Sequence, residues 1–95
     1  MVVHMVSFKY KTDATAAARA DHRAKLATLI DIDGILDFKV GEDFIHSPRS
    51  FDTGLVVLFR DRGALDGYAT NPRHVPIAQL GRDLSETIIA VDFDA

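Results

Sequence analysis

Apolar and polar residues alternate from the second position onward. Val2, His4, Val6, Phe8 and Tyr10 fall on one side of an extended chain, and Val3, Met5, Ser7 and Lys9 on the other. A period of two, carried by β-branched and aromatic side chains, predicts a strand over 2–10. The period then changes. Ala18, His22, Leu26, Leu29 and Ile30 recur at helical spacing in an alanine-rich stretch, which predicts a helix over 14–30. Thr12 and Asp13 offer its N-cap, and Asp33-Gly34 stops it, since glycine accepts the left-handed conformation of a C-cap.

A second strand is predicted over 35–42, with Leu36, Phe38 and Val40 on one face, followed by a loop at 43–50 marked by Ser47-Pro48. The third strand, 51–60, is the most hydrophobic: Phe51, Thr53, Leu55, Val57 and Phe59 share one face, and Gly54, Val56 and Leu58 the other. Asp61 caps a short helix to residue 68, with Leu65 and Tyr68 inward. Asn71-Pro72 starts another helix, proline being tolerated where its missing N–H is not needed. Val75, Ile77, Ala78, Leu80 and Leu84 form its apolar side, and a last strand covers 86–93. The order β-α-β-β-α-β, its second helical region split in two, predicts an α+β ferredoxin-like fold. It is one domain over 1–95, a four-stranded antiparallel sheet with helices on one face.

Such a sheet leaves its other face to water, yet the strands at 2–10 and 51–60 are apolar on both faces. Exposing Val6, Phe8, Leu55, Val57 and similar residues would forfeit roughly 1.5–3 kcal/mol for each large side chain. The expected remedy is a homodimer through the open sheet face, closing a dimeric α/β barrel; a monomer with an apolar open face is the alternative. Composition points the same way, for 47% of the 95 residues are hydrophobic, more than a core this small readily hides.

Charge and composition exclude several function classes. The net charge is -3, and no run of Lys and Arg forms the basic face that nucleic acid would need. No apolar stretch approaches the roughly 20 residues that span a membrane. The opening residues lack the regions of a signal peptide, so a cytoplasmic location is expected. There is no cysteine, which excludes disulfides and thiolate ligands. The histidines at 4, 22, 46 and 74 lack metal-ligand spacing, and neither a phosphate-cradling glycine loop nor a nucleophile elbow is present. No metal or cofactor is expected.

The informative residues are polar ones on inward faces. His4 sits among Val6 and Phe8, as a site residue or as a core histidine bonded to a carbonyl. His22 lies on the inner stripe of the first helix, or at its edge with the ring half in water. Tyr68 buries its ring and needs a partner for its hydroxyl. His74 lies near a helix start, whose dipole lowers its pKa, and can serve as a cap. Together they place titratable groups around the inside of one small domain. A neutral histidine beside a tyrosine hydroxyl suits enolisation: the imidazole takes the proton as base, and the hydroxyl stabilises the oxyanion. His4, Val6, Phe8, His22, Thr53, Leu55 and Val57 are the expected lining of a cavity for an apolar small molecule.

The run Gly67-Tyr68-Ala69-Thr70-Asn71-Pro72-Arg73-His74 is a Tyr-x-x-x-Pro-x-His pattern. With the strand Leu55-Val56-Val57-Leu58-Phe59, the opening His4-Met5-Val6-Ser7-Phe8-Lys9, Val40-Gly41 and the closing Val91-Asp92-Phe93, it resembles the stress-responsive A/B barrel domain (Dabb) family along nearly the whole chain. The resemblance implies a ferredoxin-like subunit in a dimeric α+β barrel. It also implies functions ranging from stress-induced proteins to polyketide cyclases, in which the motif tyrosine and histidine work as a pair and a strand-1 histidine lines the pocket. By position these are Tyr68, His74 and His4. The chain departs from the cyclases at Thr53, where they can hold a histidine, and in lacking a tyrosine on the first helix. Three functions follow as expectations: a cofactor-free cyclase- or isomerase-type enzyme acting on a polyketide-like or other carbonyl compound, a non-catalytic small-molecule-binding or stress-associated dimer, and, more distantly, a cofactor-free monooxygenase.

Overall fold

The computed structural model describes residues 1–95. Its elements are β1 (Val2–Tyr10), α1 (Ala16–Ala27), a 3-10 turn (Thr28–Asp31), β2 (Ile35–Glu42), β3 (Thr53–Phe59), α2 (Arg62–Thr70), α3 (His74–Leu84) and β4 (Ser85–Asp94). All neighbouring strands are antiparallel, in the order β2-β3-β1-β4. This is the ferredoxin-like α+β fold. No helix is long and apolar enough to cross a membrane.

The core lies between the sheet and the helices. Val2, Val6, Phe8 and Tyr10 of β1 and Leu55, Val57 and Phe59 of β3 meet Leu26, Leu29 and Tyr68 there, all buried. The residues whose exposure was expected to drive dimerisation, Val6, Phe8, Leu55 and Val57, therefore face the helices. The open face is built by the alternate positions. Met5, Val56, Ile89, Val91 and Phe93 stand exposed on it, aligned by the β1–β3 pair Met5↔Val56 and the β1–β4 pairs Val3↔Phe93, Met5↔Val91 and Ser7↔Ile89. The argument for a partner survives with these residues in place of the first set.

Local differences have local causes. The cap of α1 is Thr15, whose hydroxyl accepts the Ala18 N–H at 3.1 Å. Thr12 and Asp13 belong to the preceding turn. The helix tightens at Thr28, so Leu29 and Ile32 turn inward and Ile30 is exposed. A bulge between Ile35 and Asp37 lets Ile35 and Phe38 both pack inward and pushes Leu36 out to 54% exposure; an extra residue reverses the alternation beyond it. Gly34 has φ of 89°, and a Cβ there would come within 2.5 Å of the Ala64 side chain, so glycine is required. Asp61 caps α2 as expected, accepting the Ala64 N–H at 2.8 Å.

Candidate functional site

The link between α2 and α3 is three residues long. Asn71 runs it: its side chain accepts the Arg73 N–H at 2.8 Å, and its carbonyl accepts from His74 and Val75 at 2.9 and 3.1 Å. The expected asparagine cap thus operates, although the regular helix begins at His74 and Val75 is exposed. Arg73 pins the elbow to the end of α1, donating to the Thr28 carbonyl at 2.6 Å and the Asp31 carboxylate at 2.8 Å. The Arg73 guanidinium holds the Asp31 carboxyl below its usual range.

This sharp turn brings Tyr68 and His74 together, ring centroids 4.2 Å apart. Tyr68 is buried against Phe59 at 5.1 Å and His4 at 6.0 Å. Its hydroxyl has no protein partner, and burial pushes its pKa up to about 12. It keeps its proton at neutral pH and has a hydrogen bond to give. His74 Nδ1 lies 3.2 Å from the Ala69 carbonyl, which accepts only, so Nδ1 carries the proton and Nε2 the lone pair. The pKa of His74 is lowered, first by burial, with His4 and Arg82 adding to the effect and the Ala69 bond opposing it. The direction is the expected one, but burial leads rather than the helix dipole.

His4 approaches this pair from β1. Its Nδ1 bonds the carboxylate of Asp92, directly opposite in the β1–β4 register. Nothing local in the sequence gives Asp92 a role. Only the pairing of first and last strands reveals it, and the ferredoxin-like order supplies that pairing.

His4, Tyr68 and His74 line one cavity of about 220 Å³ between the helices and the sheet. Val6, Phe8, Leu55 and Ile77 give it an apolar wall, and His22 and Arg82 also reach it. Thr53 and Val57, expected in the lining, are not part of it. Val57 is enclosed in the core. Thr53 is buried as well, its Oγ1 accepting from Tyr10 at 3.0 Å and from Arg23 at 3.1 Å. A larger but shallower hollow of about 500 Å³ runs past Lys39, Phe44, Phe51 and Val56; it holds no comparable group of histidines.

His22 follows the inner-stripe reading and not the wet-edge one: its ring is fully buried. Nδ1 lies 2.7 Å from the Tyr10 hydroxyl, and the ring stands edge-on to Phe8 at 4.8 Å. Burial, reinforced by Arg23, lowers its pKa. Tyr10 was passed over in the sequence, although it is the inward residue that follows Phe8 on β1. No group of three or more His, Asp or Glu side chains converges as a metal site.

A family model, the Stress responsive A/B Barrel Domain, matches residues 2–95. No curated protein matches the chain significantly. Among solved structures, a dimeric ferredoxin-like protein of unknown function from Thermobifida fusca is similar at TM-score 0.91 and 17% identity, covering 99% of this chain and 90% of that one. A dimeric ferredoxin-like protein from Bacteroides fragilis, also of unknown function, is similar at TM-score 0.82 and 23% identity, covering 99% and 95%. The hydroxynitrile lyase of Passiflora edulis is similar at TM-score 0.84 and 19% identity, covering 97% and 90%.

Proposed function

The chain belongs to the stress responsive A/B barrel domain family, and from that premise we propose that it is an enzyme moving a proton next to the carbonyl of a small apolar compound, using its own side chains as acid and base. One observation carries this reading: a neutral histidine and an unpartnered, protonated tyrosine hydroxyl stand side by side on the wall of one apolar cavity. His74 Nε2 takes the proton from the carbon beside the carbonyl. The C–H electrons form the enolate double bond, and the carbonyl electron pair moves to oxygen. Tyr68 donates its hydrogen bond to that oxyanion, where the apolar surroundings make the bond count for more than in water. Return of the proton to another carbon gives isomerisation, and attack by the enolate carbon on a second carbonyl gives ring closure. His4, its Nδ1 held by Asp92, has Nε2 left for the ligand.

The cavity is smaller than the roughly 300–1,000 Å³ of sites for drug-sized ligands, so the substrate is small. That a hydroxynitrile lyase has this fold supports the reading only as far as the fold houses enzymes; fold alone carries no substrate. The direct test is deuterium uptake beside the carbonyl of small ketones in heavy water, followed by NMR. Wild-type protein should accelerate uptake, and His74→Ala should lose about 10²–10⁴-fold of that rate. A wild-type protein that accelerates none of them is a binding protein rather than an enzyme.

The working unit is a homodimer closed through the open sheet face. Similar structures are dimeric, and Met5, Val56, Ile89, Val91 and Phe93 present an exposed apolar surface there. Native mass spectrometry should find two subunits, with Val91→Asp shifting the balance to monomer. A wild-type monomer at micromolar concentration would rule the assembly out.

A further inference from the structure

The proton-transfer mechanism occupies one end of the cavity and leaves its rim without a role. Arg82 belongs to the lining and is exposed to water as well. On α3 it follows Ala78 by about one turn, and Ala78 follows His74 by about one turn, so the three share a side of the helix. Helical side chains lean back toward the N-terminus of their helix. Arg82 does so, its Nη2 donating to Gln79 Oε1 at 3.0 Å. Ala78, also in the lining, is too small to screen Arg82 from His74, and the Arg82 charge is felt there, helping to lower the His74 pKa.

The guanidinium has no counter-ion. Arg19, Arg23, Arg60, Arg62 and Arg73 each lie beside a carboxylate. Arg82 meets only the neutral amide of Gln79. Asp83, next to it in sequence, takes the other end of that amide at 2.8 Å. No aspartate or glutamate lines the cavity, whose ionisable side chains are His4, His22, His74 and Arg82. Asp92 stands behind His4 and is engaged by its Nδ1. A chain of net charge -3 thus keeps a cationic mouth on an apolar space, with most of the guanidinium N–H donors free. Such a cleft concentrates anions.

We propose that Arg82 is an anion-binding point at the rim of this cavity and takes a carboxylate of the substrate, so that the substrates are small oxo acids. The oxo-acid class rests on the carbonyl reading above; the anion-binding point does not. The apolar body of the substrate lies along Val6, Leu55 and Ile77, with its carbonyl at Tyr68 and His74 and its charged end at the rim. The planar guanidinium fork matches a carboxylate in two parallel hydrogen bonds. One arginine without a glycine-rich loop suits a single negative charge rather than a phosphate dianion. Because Arg82 leans toward His74, the carboxylate lies only a few bonds from the reacting carbon, as in 4-oxopentanoate.

The test uses two ketone-free probes of equal size, pentanoate and pentanamide, titrated into the protein by NMR at low salt. Pentanoate should bind about tenfold tighter, the lower end for a hydrogen bond to a charged group, and only pentanoate should move the ¹⁵Nε resonance of Arg82. Added salt should shrink the preference, since the site is open to water. Arg82→Gln should abolish it, and Arg82→Lys should keep part of it, the charge remaining without the fork. Both are surface substitutions and should fold. Equal affinity for the two probes, no binding of pentanoate, or a preference that survives Arg82→Gln overturns the anion-binding point. Deuterium uptake by 4-oxopentanoate separates the two readings. Uptake without a preference for pentanoate sinks the anion-binding point alone. An Arg82-dependent preference without uptake upholds the anion-binding point and sinks the carbonyl reading.

Discussion

Tyr10 with His22, and Tyr68 with His74, are the same two residue types placed in one core under opposite conditions. In the first pair the hydroxyl is 2.7 Å from the imidazole and 3.0 Å from Thr53, and the rings meet nearly perpendicular at 83°. In the second the rings overlap at 37° with centroids 4.2 Å apart, and the hydroxyl meets no protein atom that could bond it. Both tyrosines have raised pKa values, with burial the leading cause. The tyrosine of the first pair is offset by Thr53 and two arginines, whereas burial acts unopposed on Tyr68. The difference separates two uses of a buried polar group. A satisfied hydroxyl ties β1 to α1 and β3 and belongs to the fold. An unsatisfied one is a standing cost to stability, and a ligand atom relieves it.

The sharpest way to break the comparison is to remove each hydroxyl in turn. Tyr10→Phe strands His22 Nδ1 in a closed core, leaves Thr53 with Arg23 alone, and should lower unfolding stability by about 1–3 kcal/mol, read from urea denaturation. Tyr68→Phe removes an orphan and should leave stability unchanged or raise it by up to about 1 kcal/mol, while deuterium uptake falls by about 10²–10³-fold, as when an oxyanion donor is lost. Equal destabilisation by both substitutions would mean that the Tyr68 hydroxyl has a structural partner after all, and the pairs would no longer differ in kind.

That the two pairs were not equally visible in the sequence has a physical reason. Tyr68 and His74 are six residues apart and are joined by a turn that Asn71 and Pro72 announce, so local chemistry was enough to place them together. β1, β2 and the Asp61 cap were legible for the same reason. Tyr10 and His22 lie on a strand and a helix twelve residues apart. Their bond depends on how α1 docks, which alternation and capping do not encode, so helical spacing alone leaves His22 open between the inner stripe and a wet edge. Asp92 was missed because its meaning lies in a cross-strand register 88 residues from His4. The bulge at Leu36 went unread because one inserted residue reverses a face without leaving a mark in composition. The open sheet face was foreseen, but its residues were misassigned, since alternation names two faces without saying which one the helices cover.

A smaller effect sharpens the contrast through pH. Both histidines have pKa values below 6.5 in the folded protein, burial being the first cause for each. Tyr10, Thr53 and Arg23 surround His22, whereas His4, Tyr68 and Arg82 surround His74. In the unfolded chain the two imidazoles bind protons near pH 6.5, and in the folded chain only at lower pH. Between those points the unfolded state holds more protons, so stability rises with pH across the window and is lost as pH falls below about 6.5. His22→Gln should flatten that slope and lower the stability plateau, because the Tyr10 bond is disturbed. His74→Ala should flatten it too, with little change in the plateau. Only His74 should appear in catalysis: deuterium uptake should climb with pH through its lowered pKa and level off below pH 7, where the base is already deprotonated. Melting temperatures and uptake rates measured between pH 4 and 8 check both arms. An uptake profile that follows His22 rather than His74 would exchange the roles of the two pairs.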